Sequence, residues 1–160
     1  MNAMPNQRGP LNILLVEDNE DDVFLTREGM REAGIPANLH RVANGSECMS
    51  YLRRQGAYAE EHRPDLVLLD LNMPVMDGRE VLAEVRRDEA LRLIPVVMLT
   101  TSSAHEDIES AYRLFANAYV IKPTSFDEFI GALRSIGAFW LRVSALPNRQ
   151  DDDAFVRRPG

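Results

Sequence analysis

Residues 13–16 (Ile-Leu-Leu-Val) and 66–69 (Leu-Val-Leu-Leu) are short, unbroken apolar runs, and each leads straight into a carboxylate, Glu17 or Asp70. A run this short with no alternation reads as a strand covered on both faces, since a half-exposed strand would alternate apolar with polar residues. Five such segments are spaced along the chain, over residues 12–16, 38–42, 66–71, 96–99 and 118–121. Between them lie amphipathic stretches of helical length, at about 20–33, 46–55, 79–88, 105–115 and 125–144. Gly34 with Pro36 beyond it closes the first, and Gly56 closes the second. Ser125 with Glu128 three residues on opens the last in a capping-box pattern. Strands alternating with helices make βαβ units and a parallel sheet. The predicted fold is therefore α/β: a doubly wound, five-stranded parallel sheet with five helices and an extended last helix.

The 160 residues suit one domain, with 45% hydrophobic residues to cover a sheet on both faces. Residues 1–10, with Pro5, Gly9 and Pro10, read as a disordered leader, 11–146 as the domain, and 147–160 as a flexible tail with little to bury. The formal charge of -7 argues against non-specific nucleic-acid binding, which needs clustered Lys and Arg. One cysteine, Cys48, permits no intrachain disulfide and reads as a small packing residue. Residues 1–10, with one Arg and no apolar stretch, do not read as a secretory signal, and no run approaches the roughly 18 apolar residues of a membrane span. The expected location is the cytoplasm.

In an open parallel sheet, ligands bind beyond the C-terminal strand ends. Those ends carry Glu17 and Asp18, then Asp70, then Thr100, then Lys122 followed by Pro123. Two carboxylates about 5 Å apart repel by roughly 3 kcal/mol at an effective dielectric of 20, so the cluster asks for a cation. A hard cation with oxygen ligands fits, and Mg²⁺ binds through one or two carboxylates plus phosphate and water. Lys122 adds a point charge for phosphate and Thr100 a hydroxyl donor. Acid pair, central Asp, hydroxyl and Lys compose a phosphoryl-transfer site with Asp70 as nucleophile. Each residue alone would read as a helix cap, a solvated turn or, for the run from Glu17 to Asp22, an acidic helix start. All the strand ends together are much harder to reach by chance.

These pieces resemble the response-regulator receiver family of two-component signalling: Leu15-Val16-Glu17-Asp18, then Leu68-Leu69-Asp70-Leu71-Asn72-Met73-Pro74 with Met76-Asp77-Gly78, then Leu99-Thr100, then Lys122-Pro123. The resemblance implies a flavodoxin-like sheet of order 2-1-3-4-5. It implies Asp70 as phosphoacceptor, and Mg²⁺ held by Asp18, Asp70 and the backbone carbonyl of Asn72, with Glu17 reaching the metal directly or through water. Lys122 would pair with one phosphoryl oxygen and Thr100 with another. Tyr119 matches an aromatic switch position, and the Lys122–Pro123 bond would be cis. Asn72 and Ser102 stand where the family tunes acyl-phosphate lifetime. The implied donor is a phosphohistidine on a histidine kinase. Within the family the chain resembles the small regulators paired with bacterial phytochromes, on the run Glu17 to Asp22, on Leu99-Thr100-Thr101-Ser102, and on the long last helix with Phe139-Trp140.

The 16 residues after Ser144 are too few for an effector domain, so output is expected through protein contacts. On the last helix Phe126, Phe129, Ile130, Leu133, Ile136, Gly137, Trp140 and Leu141 share one face for the sheet. Ala132, Phe139, Val143 and Leu146 fall on a neighbouring face, which predicts a homodimer with Phe139, Val143 and Leu146 in its interface. Met73 and Met76 read as loop packing, and Arg53-Arg54 and Arg86-Arg87 as solvated helix faces. His40, His62 and His105 lack metal-ligand spacing. Two other function classes fit the sequence less well. An Asp-nucleophile phosphohydrolase wants a second acid two residues after the nucleophile, where Asn72 stands. An unphosphorylated pseudo-receiver would have no use for the intact set of Asp18, Asp70, Thr100 and Lys122.

Overall fold

The computed structural model describes residues 9–147; the leader and tail expected above fall, apart from Gly9, Pro10 and Pro147, outside the described residues. Five strands form one all-parallel sheet: β1 Leu11–Val16, β2 Ala37–Val42, β3 Leu66–Leu69, β4 Val96–Thr100 and β5 Ala118–Ile121. Their order is β2-β1-β3-β4-β5, so the chain winds out to one edge, returns to the centre and continues to the other. Four α-helices connect them, α1 Glu20–Glu32, α2 Gly45–Leu52, α3 Gly78–Arg87 and α4 His105–Arg113, and α5 Phe126–Ala138 follows β5. The expected architecture and strand order stand.

The unbroken apolar runs work as the period of a strand requires. In β1, Leu14 and Val16 enter one core with Cys48, Leu52, Val67, Leu69, Leu82 and Met98, on the side of α2, α3 and α4. Leu11, Ile13 and Leu15 enter the other with Leu66, Leu68, Leu99, Phe129 and Leu133, on the side of α1 and α5. Cys48 is fully buried, and burial pushes its thiol up to about 12, which keeps it protonated and inert.

Four of the helices start at a side-chain cap. The Asn19, Asn44 and Ser125 side chains accept from the third helical N–H, and Asp77 with Glu80 completes a full capping box at α3. The last helix differs from expectation. Regular α5 ends at Ala138, and Phe139–Val143 form a wider π turn. That turn changes the helical phase. Phe139 and Val143 remain outside, 50% and 64% exposed, but Leu146 is drawn into the second core at 1% exposure and leaves the proposed interface. Phe126, expected against the sheet, sits exposed at the first position of α5.

Arg86 is not a solvated residue. Its guanidinium donates to the carbonyls of Phe115, Arg92 and Ile94 and to Asn117 Oδ1, at 2.8–3.0 Å. Arg53 is likewise paired, with Glu84 and Asp88. Among the described residues no helix is long and apolar enough to cross a membrane.

Candidate functional site

The parallel arrangement delivers the C-terminal strand ends to one rim, and backbone hydrogen bonds tie them there. Glu17 N donates to Val42 O, Asp70 N to Val16 O, and Lys122 N to Thr100 O, at 2.8–3.1 Å. Carboxylate oxygens of Glu17, Asp18 and Asp70 lie within 4.8 Å of one another. Asp18 is exposed, Asp70 half-buried and Glu17 buried at 2% exposure. Asn72 is exposed on the following loop.

Lys122 reaches into this cluster from β5. Its Nζ lies 2.5 Å from Glu17 Oε1 and 3.3 Å from Asp22 Oδ2. Burial raises the Glu17 carboxyl to about 7; the hydrogen bond and charge of Lys122 pull against this, and Asp70 adds to it. Burial also opposes the charged form of Lys122, but its hydrogen bond to Glu17 and the charges of Glu17, Asp70 and Asp22 outweigh that, and its pKa is raised. The cis Lys122–Pro123 bond expected from the family pattern is absent: the described residues contain no cis peptide. A trans bond is the lower-energy form even before proline, and from it the ammonium already meets the acids.

Thr100 ends β4, and its carbonyl accepts from the Lys122 N–H. Its hydroxyl is buried and has no hydrogen-bond partner among the described residues, a costly state for a polar atom and one that a phosphoryl oxygen would relieve. Tyr119, half-buried on β5, donates its hydroxyl to Ser102 O at 2.9 Å. Burial is the main reason its phenol is held above the ordinary value.

Gly78 makes the close approach possible on the other side. Its N–H donates to Leu71 O at 2.8 Å, and an added Cβ would stand 2.4 Å from the Asp70 carbonyl oxygen. The start of α3 can thus lie directly against the backbone of Asp70.

Two residues of the site escaped sequence reasoning. Arg41, on edge strand β2, donates to the carbonyls of Glu17 (2.9 Å) and Asp18 (3.2 Å) and pairs with Glu20, which fixes the acid-bearing loop. Asp22 shares Lys122. Its signal was present in the acidic run, read there as a solvated helix start.

The donor set fits a small hard cation: clustered carboxylate oxygens, no sulfur and no imidazole. A neighbouring ammonium and an unpaired hydroxyl add affinity for a phosphoryl group. The arrangement can therefore bring a metal, a phosphoryl oxygen and a carboxylate nucleophile together.

Known proteins carry the same arrangement of fold and sequence. Response regulator Rcp1 of Synechocystis sp. is 41% identical over 138 residues, 86% of this chain and 94% of Rcp1. A crystal structure of Rcp1 in its Mn²⁺-bound form superposes with a TM-score of 0.79, at 40% identity over 86% of this chain and 99% of that one. The phosphorylated cyanobacterial phytochrome response regulator RcpA superposes with a TM-score of 0.81, at 43% identity over the same shares. Probable methanogenesis regulatory protein FilR2 of Methanothrix harundinacea is 39% identical, covering 86% of this chain and 88% of FilR2. The model of the response regulator receiver domain matches residues 13–134. Receiver domains are signalling modules that bind a divalent metal, and this chain belongs to the response regulator receiver domain family.

Proposed function

We propose that this chain is a response regulator that accepts a phosphoryl group onto Asp70 from a phosphohistidine of a partner histidine kinase, and that the kinase is of the phytochrome class. The observation that carries the site assignment is the convergence of Glu17, Asp18 and Asp70 within 4.8 Å, with the Lys122 ammonium paired to Glu17. The similarity to RcpA and Rcp1 supports the phytochrome class of donor.

In the transfer, an Asp70 carboxylate oxygen attacks phosphorus, the P–N bond to imidazole breaks as the P–O bond forms, and the imidazole leaves as the neutral ring after taking up a proton. Asp18, Asp70 and the Asn72 carbonyl would hold Mg²⁺, with Glu17 directly or through water, and the ion would neutralise phosphoryl charge. Lys122 would leave Glu17 and Asp22 for one phosphoryl oxygen, and the Thr100 hydroxyl would take another. Tyr119 would follow Thr100 as the switch. The protein would work in the cytoplasm as a signalling module rather than as an enzyme acting on a separate substrate.

The test is intact mass after incubation with Mg²⁺ and acetyl phosphate. A single phosphoryl adduct is expected in the wild type, and an at least 100-fold slower one in Asp70→Asn, which keeps the shape but loses the nucleophile. A wild type without adduct would leave a metal-binding interaction module, and an adduct that persists in Asp70→Asn would misplace the acceptor.

Output would run through a homodimer that uses Phe139 and Val143. Phe139 packs edge-to-face on Trp140 at 5.0 Å between ring centroids, so its outer face is held in place for a partner. Light scattering at micromolar concentration should give a dimer mass for the phosphorylated protein and a monomer for Phe139→Ser/Val143→Ser. A wild-type monomer in both phosphorylation states would rule the interface out.

A further inference from the structure

Beside the acid cluster, a polar chain joins three elements. Arg79, the second residue of α3, pairs through Nη2 with Asp107 Oδ1 and donates through Nε to Ser110 Oγ at 3.2 Å. The other oxygen of Asp107 accepts from Ser102 Oγ at 2.5 Å. Ser102 in turn offers its carbonyl to the Tyr119 hydroxyl.

The loop carrying Ser102 needs such an anchor. It joins β4 to α4, and Thr101, Ser103 and Ala104 in it are exposed. Ala104 stands at the N-cap of α4 and has no side chain to cap with. Asp107 in the first turn would ordinarily serve the helix terminus, but both its oxygens are engaged, one across to α3 and one back to the loop. Its pair with Arg79 is partly buried, with side chains 35% and 22% exposed, and so is less screened than a free surface pair. Arg79 also directly follows Gly78, which lies against the Asp70 carbonyl. The polar chain therefore runs from the start of α3 to the loop after Thr100.

We propose that the Arg79–Asp107 pair is a catch that holds the Ser102 carbonyl within reach of the Tyr119 hydroxyl, and so favours the inward position of the Tyr119 ring. Arg79 and Asp107 are positioning residues for the switch. The proposal rests on the reading of Tyr119 as that switch, yet its test needs no phosphodonor.

The test measures solvent paramagnetic relaxation of ring-labelled tyrosine in the unphosphorylated full chain, with Tyr119→Phe to assign the signal. Arg79→Ala and Asp107→Ala should each raise Tyr119 relaxation about threefold, as loss of a modest pair shifts a two-state population. The double variant should match the singles, since either change opens the same catch, and Arg79→Lys should keep most of the wild-type value. Unchanged Tyr119 relaxation in the single variants, even with a lowered melting temperature, would reduce the network to plain structure and overturn the proposal. So would a double variant showing the sum of two independent effects. Absence of an acetyl phosphate adduct in the wild type would count against the phosphoryl site and leave the ring measurement standing.

Discussion

Gly78→Ala should lower the stability of this protein by on the order of 3 kcal/mol and slow acyl-phosphate formation by about 100-fold. The added methyl would lie 2.4 Å from the Asp70 carbonyl oxygen and 2.9 Å from Leu71 Cα. Both are backbone atoms, so no rotamer change relieves the contact. Either α3 retreats and the Gly78 N–H to Leu71 O bond is lost, or the Asp70 backbone moves. The first route costs stability and the second misplaces the Asp70 carboxylate. Gly131→Ala is the comparison, because nothing lies within 4 Å of that Cβ on α5. There the removal of glycine from a helix interior should be neutral or stabilising by up to about 1 kcal/mol. Thermal unfolding and the intact-mass assay read both effects. A Gly78→Ala protein that melts and reacts like Gly131→Ala would refute the close approach.

The metal-free protein should lose stability as pH rises from about 4.5 to about 7. Burial raises the folded-state Glu17 carboxyl from 4.5 to about 7, with Lys122 opposing and Asp70 adding. Within that window the folded state holds a proton that the unfolded state has released, so raising the pH disfavours folding. The raised pKa of Lys122 lies above its ordinary 10.5, and that group does not titrate in the window. A divalent ion supplies the missing positive charge. Mg²⁺ should therefore raise the melting temperature more at pH 8 than at pH 5. Glu17→Gln should flatten the metal-free profile and shrink the response to Mg²⁺. A wild-type profile that is flat, or one that Glu17→Gln leaves unchanged, would mean that Glu17 does not carry the dependence.

The strands and the rim were legible because both are written in local chemistry. Four apolar residues followed by a carboxylate say "buried strand" and "strand end" at once, and Glu17, Asp18 and Asp70 lie together with Lys122 paired to Glu17. What was not legible depends on partners without a side-chain signature. Arg86 and Arg41 bond mainly to backbone carbonyls, and a carbonyl looks the same at every position of a sequence. Leu146 was misplaced because a 3.6-residue period was carried through Phe139–Val143, where the turn is wider. The Arg79–Asp107 pair is 28 residues apart in sequence and needs the packing of α3 beside α4 to exist.

The Arg86 guanidinium ties down Phe115, the residue two past the C-terminal end of α4. That contact makes the helix a lever with its fulcrum at the sheet end farthest from Asp70. Nine residues at 1.5 Å each give an arm of roughly 13 Å, so a tilt of about 10° sweeps the His105 end through roughly 2 Å while the Arg86 end stays in place. A small displacement beside Thr100 would then be carried along a surface helix, where a partner protein could feel it.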